Sequence, residues 1–279
     1  MRVLFALTAA AALAACGSDS TGPGTAPPAP TSLSSVSLDG SIALMWPDNA
    51  YESDPSNFAY YVVYSTSYDL DANQCGSDWN IEGTTVAPEF ISGALTNGTP
   101  RCFEVSAVGA TGGESQASPA RNDTPRPDAR NVVVYARQVQ NAGSAFRFWQ
   151  DLDADGVVDR SELGLVLNGD NAAADFSVER DGSGALFLTP ARTGVTVALY
   201  GSVPVEDLTS IDIAPLEGYD AAGLEAVPGW GYVFEMPGNP YVQYGAVRIT
   251  HVGQNFLILD WAYQTDPGNP ELVRGRTED

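Results

Sequence analysis

Residues 58–64 read Phe58-Ala59-Tyr60-Tyr61-Val62-Val63-Tyr64, a run of aromatic and β-branched side chains that suits a pleated strand. Working outward, Ser41-Ile42-Ala43-Leu44-Met45-Trp46 alternates toward Ile42, Leu44 and Trp46, and Phe103-Glu104-Val105-Ser106-Ala107 sets Phe103, Val105 and Ala107 on one face. Asn97-Gly98 and Gly112-Gly113 mark turns between such runs. Roughly seven short strands in about 100 residues predict an antiparallel sandwich over residues 30–125.

Several landmarks then fall in one order: Pro30 and Leu33 at the start, Trp46 on the second strand, Tyr60 to Tyr64 on the third, and Leu95-Thr96-Asn97-Gly98-Thr99 leading into Phe103–Val108. Gly113-Glu114-Ser115 and Ser118-Pro119 close the stretch. Together they resemble a fibronectin type III domain across its full length. The resemblance implies an immunoglobulin-like sandwich acting as spacer or binding module and carries no chemistry of its own. One position departs from the family: Arg101 stands where it usually has a tyrosine, so the corner hydrogen bond of that tyrosine is absent or remade.

Thr124-Pro125-Arg126-Pro127-Asp128 reads as a stiff linker. Beyond it, 130–279 carries strand candidates at Val132–Ala136, Phe146–Trp149, Leu163–Leu167, Phe176–Glu179, Ala185–Leu188, Val195–Tyr200, Tyr232–Met236, Gly245–Thr250 and Phe256–Tyr263. No long amphipathic helix is evident, so the chain is expected to be all-β, the first sandwich followed by a second β-rich sandwich or barrel.

The sharpest motif is Asp151-Leu152-Asp153-Ala154-Asp155-Gly156-Val157-Val158-Asp159-Arg160-Ser161-Glu162. It matches the EF-hand calcium loop at each landmark: carboxylates at Asp151, Asp153 and Asp155, a turning Gly156, the carbonyl of Val157, Asp159 directly or through water, and a bidentate Glu162. Ca²⁺ needs that many hard oxygens, and the carboxylates need a cation to offset their repulsion. The flanks alternate as strands and include Gly164 and Val166, so a structural calcium loop between strands is expected, with Val158 pinning it to the core.

A second resemblance covers only about 40 residues: Gly231–Met236, Tyr244–Ile249 and Asp260–Gln264 are similar to the end of HmuY-like heme-binding lipoproteins. That family ligates heme iron with two histidines. This chain has one, His251, which rules out bis-His ligation within a single chain, so the similarity bears on β architecture rather than on heme.

At the other end, Met1-Arg2 precedes the apolar run Val3–Leu13, too short for the roughly 20 residues of a spanning helix. It ends in Leu13-Ala14-Ala15-Cys16, which resembles the lipobox of bacterial lipoproteins. The resemblance implies a signal peptide over 1–15, a diacylglycerol on Cys16, and an anchor in the outer membrane or at the cell surface. Residues 16–29, rich in Gly, Ser and Pro, read as a tether. With Cys16 lipidated, Cys75 and Cys102 are left to pair as a disulfide in an oxidising compartment, closing a loop of 27 positions.

The chain has 279 residues, 44% of them hydrophobic, with 35 acidic against 13 basic side chains and a formal charge of −22. Such a surface repels nucleic acid, whose phosphates demand Lys and Arg, and favours divalent cations. No nucleophile elbow, phosphate loop or zinc-type cluster occurs, and acids are too plentiful for a catalytic pair to be named. Trp230, Tyr232, Tyr241, Tyr244, Trp261 and Tyr263 are dense in one region. Such rings beside carboxylates can form a sugar-binding surface, although filling a β core is their commoner use. The sequence points to a non-catalytic envelope lipoprotein that binds a surface protein or glycan. The alternative is a secreted glycan-active enzyme or its carbohydrate-binding accessory.

Overall fold

A computed structural model describes residues 24–69 and 72–272; Cys16 and the signal peptide expected over 1–15 lie outside them. In the first module β1 (Ser34–Leu38) and β2 (Ser41–Met45) form a hairpin, and a five-residue helix α1 (Asn49–Ser53) leads into the long β3 (Phe58–Asp69). Then follow β4 (Gln74–Cys75), β5 (Asn80–Thr85), β6 (Glu89–Ser92), β7 (Arg101–Gly109) and β8 (Arg121–Asp123). One sheet has the order β1-β2-β6; the other runs β4-β3-β7-β8, with β5 also on β3. The two pack as the antiparallel sandwich expected of this stretch.

The alternation read from sequence sets its core. Ile42 and Leu44 meet Tyr61, Val63, Phe103, Val105 and Ala107, all fully buried, and the Trp46 ring stands edge-on to Tyr61 at 5.3 Å. Asn57 Nδ2 donates to Thr25 O at 3.1 Å and Asn49 Nδ2 to Ala29 O at 2.8 Å, so the described part of the predicted tether runs along the sandwich.

Cys75 and Cys102 are bonded. Cys102 has the outward parity expected of it, opposite Phe103 and Val105, yet it is fully buried on its own face of β7. Arg101 takes the place of the missing tyrosine: its guanidinium bonds Ser65 of β3 and pairs with Glu82 of β5 at 3.1 Å, stitching three strands together.

The second module has two five-stranded sheets. β9 (Asp128–Tyr135), β14 (Thr196–Tyr200), β16 (Gly231–Met236), β17 (Gln243–Val252) and β18 (Phe256–Tyr263) make one, ordered β14-β16-β17-β18-β9. β10 (Ala145–Trp149), β11 (Leu163–Leu167), β12 (Phe176–Arg180), β13 (Leu186–Pro190) and β15 (Leu224–Glu225) make the other, ordered β11-β10-β12-β13-β15. Their facing sides enclose an aromatic core in which Phe176 stacks on Phe234 at 4.7 Å and Phe148 on Tyr263 at 6.2 Å.

The first of these sheets is covered on its outer side as well. Leu208, Ile211, Ala214 and Leu272 pack with Val233, Ala246 and Ala262, which point away from the aromatic core. Burial on both faces explains why Tyr232, Val233 and Phe234 are consecutive and all buried, as in strands with no solvent side.

Candidate functional site

The site is the connection between β10 and β11, which pair antiparallel and bring Trp149 opposite Leu163. Two features hold its base. Asp175 is buried and accepts from Phe148 N at 2.8 Å, from Arg147 Nη1 at 2.9 Å and from Arg192 Nε at 2.8 Å, which fixes the end of β10. At the loop's mouth Gln150 N donates to Glu162 O at 3.0 Å.

Within the loop, Gly156 N donates to Asp151 Oδ2 at 3.1 Å and Val157 N to Asp155 Oδ1 at 2.7 Å. Ala154 (φ +62°) and Gly156 (φ +75°) both adopt the left-handed region, which turns the chain back on itself. One carboxylate oxygen each from Asp151, Asp153 and Asp155 converge to within 4.8 Å of one another. Asp151 Oδ1 is buried and has no hydrogen-bond partner among the described residues. Three carboxylates this close, one of them with a buried unpartnered oxygen, make an arrangement that a cation relieves.

The fourth carboxylate is held differently. Glu162 is only 2% exposed, and its carboxylate accepts from Leu152 N, from Asp159 N at 3.4 Å and from the Trp149 indole at 3.1 Å. It sits outside the triple cluster, as does Asp159. A carboxylate has about four lone-pair directions, and these bonds, with a further one from Asp153 N, take up most of them. The residues present fit Ca²⁺: three converging carboxylates, one orphaned oxygen and a fourth carboxylate fixed at the loop's end. The expectation that Val158 pins the loop is met only partly, since it is half-buried while Val157 is 58% exposed.

Electrostatics follow from these contacts. The hydrogen bond from Asp155 N is the largest influence on Asp153 and lowers it, but desolvation and repulsion from Asp155 and Glu162 together push its carboxyl above the ordinary 3.8. The Leu152 N–H does most to hold Glu162 below its ordinary 4.5, against desolvation and helped by Trp149 and Asp159. The loop thus holds one carboxylate that resists ionisation and one that favours it.

The aromatic residues considered as a sugar platform do not form one. Tyr232, Trp261 and Tyr263 are core side chains, because β16 and β18 face the opposite sheet. Trp230 lines a small apolar notch of about 210 Å³ with Leu199, Leu224 and Val227, and Tyr241, at 61% exposed, stands apart from it. His251 is exposed on β17 with its ring 5.8 Å from that of Phe256.

Sequence reasoning missed two buried charged residues, Asp175 beneath the loop and Arg126 between the modules. Asp175 gives no signal in sequence beyond an acidic residue before a strand. Arg126, between two prolines, is fully buried where arginine is ordinarily exposed.

No known protein family matches the chain, and no curated protein matches it. Solved structures do. It is similar to FN3tt at 22% identity, over 36% of this chain and 96% of that one, with a TM-score of 0.29. A Fn3-like protein from Clostridium thermocellum is 21% identical over 35% of this chain and 92% of its own, with a TM-score of 0.27. The third fibronectin III domain of human KIAA0343 protein is 16% identical over 37% and 86%, with a TM-score of 0.31. Each likeness spans about a third of this chain.

Proposed function

We propose that the chain is a non-catalytic cell-envelope lipoprotein that presents a calcium-stabilised β domain on a fibronectin-like spacer, for binding or adhesion to a surface protein or glycan. The observation that supports it most is the strand-flanked loop in which the carboxylates of Asp151, Asp153 and Asp155 converge and Asp151 Oδ1 is buried with no partner among the described residues. Asp151, Asp153, Asp155, the Val157 carbonyl, Asp159 and Glu162 would hold the ion.

When bound, Ca²⁺ supplies positive charge that cancels carboxylate repulsion. The role is structural. The flanking elements are paired strands of one sheet, not helices free to swing, so loading stiffens the β10–β11 hairpin and leaves the fold unchanged. At 100 times its dissociation constant the ion would add about 2.7 kcal/mol of stability.

The anchor is Cys16, with 1–15 removed as a signal peptide. Such a surface, at −22 overall, suits extracellular exposure and disfavours nucleic acid as a partner. Metabolic labelling with a radiolabelled fatty acid tests the anchor. The wild-type chain should take up label and sediment with membranes, and C16S should do neither; label retained in C16S contradicts the assignment.

A further inference from the structure

The linker read as Thr124–Asp128 is not a free connector. Residues 123–127 are all buried, and their backbone is bonded on both sides. Arg126 N donates to Leu38 O at 3.2 Å, Gly98 N to Pro125 O at 2.9 Å and Tyr263 N to Pro127 O at 3.0 Å. Asp39 N donates to Asp128 Oδ1 at 3.0 Å. Gly98, at φ +79°, backs onto the second module so closely that a Cβ there would lie 2.3 Å from Thr265 Oγ1. The linker is a seam shared by the two modules.

At its centre lies a charge without a hydrogen-bond partner. Arg126 is fully buried, and its Nε, Nη1 and Nη2 find no acceptor among the described residues. Asp123 Oδ2 and Thr265 Oγ1 are likewise buried and unpartnered. Burial lowers Arg126 to about 10, opposed by attraction to Asp128 and Asp123, so it remains a cation at neutral pH. A guanidinium carries five N–H donors, and leaving a buried charge unsatisfied costs several kcal/mol.

The surroundings select the ligand. The charges that act on Arg126 are Asp123, Asp128 and Asp207, with Arg130 on the other side of the balance and itself bonded to Asp128 at 2.7 Å, so carboxylates outnumber guanidinium groups three to two. An added anion would be repelled by the carboxylates, and a metal ion by Arg126 itself. The orphaned atoms are donors on Arg126 and an acceptor on Asp123, so the ligand must accept from one and donate to the other. Water does both, and buried waters make about three such bonds each.

We propose that the seam is a built water site, in which ordered water bridges the Arg126 guanidinium to Asp123 Oδ2 and thereby locks the two modules in one orientation. The fixed orientation makes the first module a rigid arm for the second, not a loose link.

Three measurements on the full chain test it. In solution, the Arg126 Nε–H should show a nuclear Overhauser effect to long-lived water; a slowly exchanging Nε–H without that effect overturns the water site. Residual dipolar couplings from β7 and β17 should fit a single alignment tensor, whereas a need for two tensors overturns the lock. A high-resolution crystal structure tests the bridge directly. Water within about 2.7–3.2 Å of both Arg126 and Asp123 Oδ2 supports it. A guanidinium bonded straight to a carboxylate or to main-chain carbonyls refutes it.

Discussion

Gly164 lies just past the acidic loop, and replacing it with alanine isolates what the exit strand requires. Its backbone is in the left-handed region at φ +63°, and a Cβ there would fall 2.1 Å from Trp261 Cζ2. The conformation alone costs an L-residue about 1–2 kcal/mol. Trp261 is 5% exposed and cannot retreat into solvent, so overpacking adds about 1–3 kcal/mol. Alanine also restricts the unfolded chain, which returns about 0.4–1 kcal/mol. The net expectation for G164A is a destabilisation of about 2–4 kcal/mol. Gly156 provides the control, because it has φ +75° but no atom within 4 Å of an added Cβ. Urea unfolding followed by tryptophan fluorescence should show a lower midpoint at unchanged slope for G164A, and a smaller shift for G156A. Equal midpoints for the two variants would refute the claim that Trp261 packs on the Gly164 backbone.

Other consequences can be checked alongside. The Cys75–Cys102 bond closes 27 positions, worth about 3.5 kcal/mol in the chain-entropy model. Reduction should therefore lower the melting temperature of the first module by more than about 10 °C, and equal melting of oxidised and reduced protein would count against it. Glu162 is held below 4.5, so its contribution is complete above that pH and is lost as pH falls through its lower folded value. Asp153 is raised and has the opposite sign: its repulsion grows as pH rises through its folded value. Metal-free E162Q should consequently lose the part of the acid transition below pH 4.5 that wild type shows, as followed by melting temperature against pH. D175N should leave Arg147 and Arg192 without their shared anion and destabilise the second module by about 3–5 kcal/mol, read by the same urea titration.

Much of the fold is legible because its strands obey simple patterns. Ile42 and Leu44 alternate with half-buried neighbours, and Leu163–Leu167 is a strand as read. The strands from Gly231 onward were also found, but their packing was not. Tyr232, Val233 and Phe234 are buried together because 201–223 and Leu272 cover the sheet's outer side. That segment has no period to read, since it is held by tertiary contacts such as Ala214 N to Pro270 O at 2.8 Å. Aromatic density has the same limit, since it does not say which face of a strand is solvated; Tyr232, Trp261 and Tyr263 take the commoner use and fill the core. In the acidic loop, spacing identified the three converging aspartates but not that Glu162 would be occupied by N–H donors. The buried Arg126 had no signal at all, because its burial comes from two modules meeting.

Calcium bound by the loop at 151–162, as proposed, would stabilise the second module. The most direct measurement is calorimetric melting of the mature chain in excess Ca²⁺ and in excess chelator, with D151N as control. Ca²⁺ should raise the melting temperature of the second module in wild type by an amount that grows with its concentration, and D151N should abolish the rise. Identical melting of wild type with Ca²⁺ and with chelator would contradict the account.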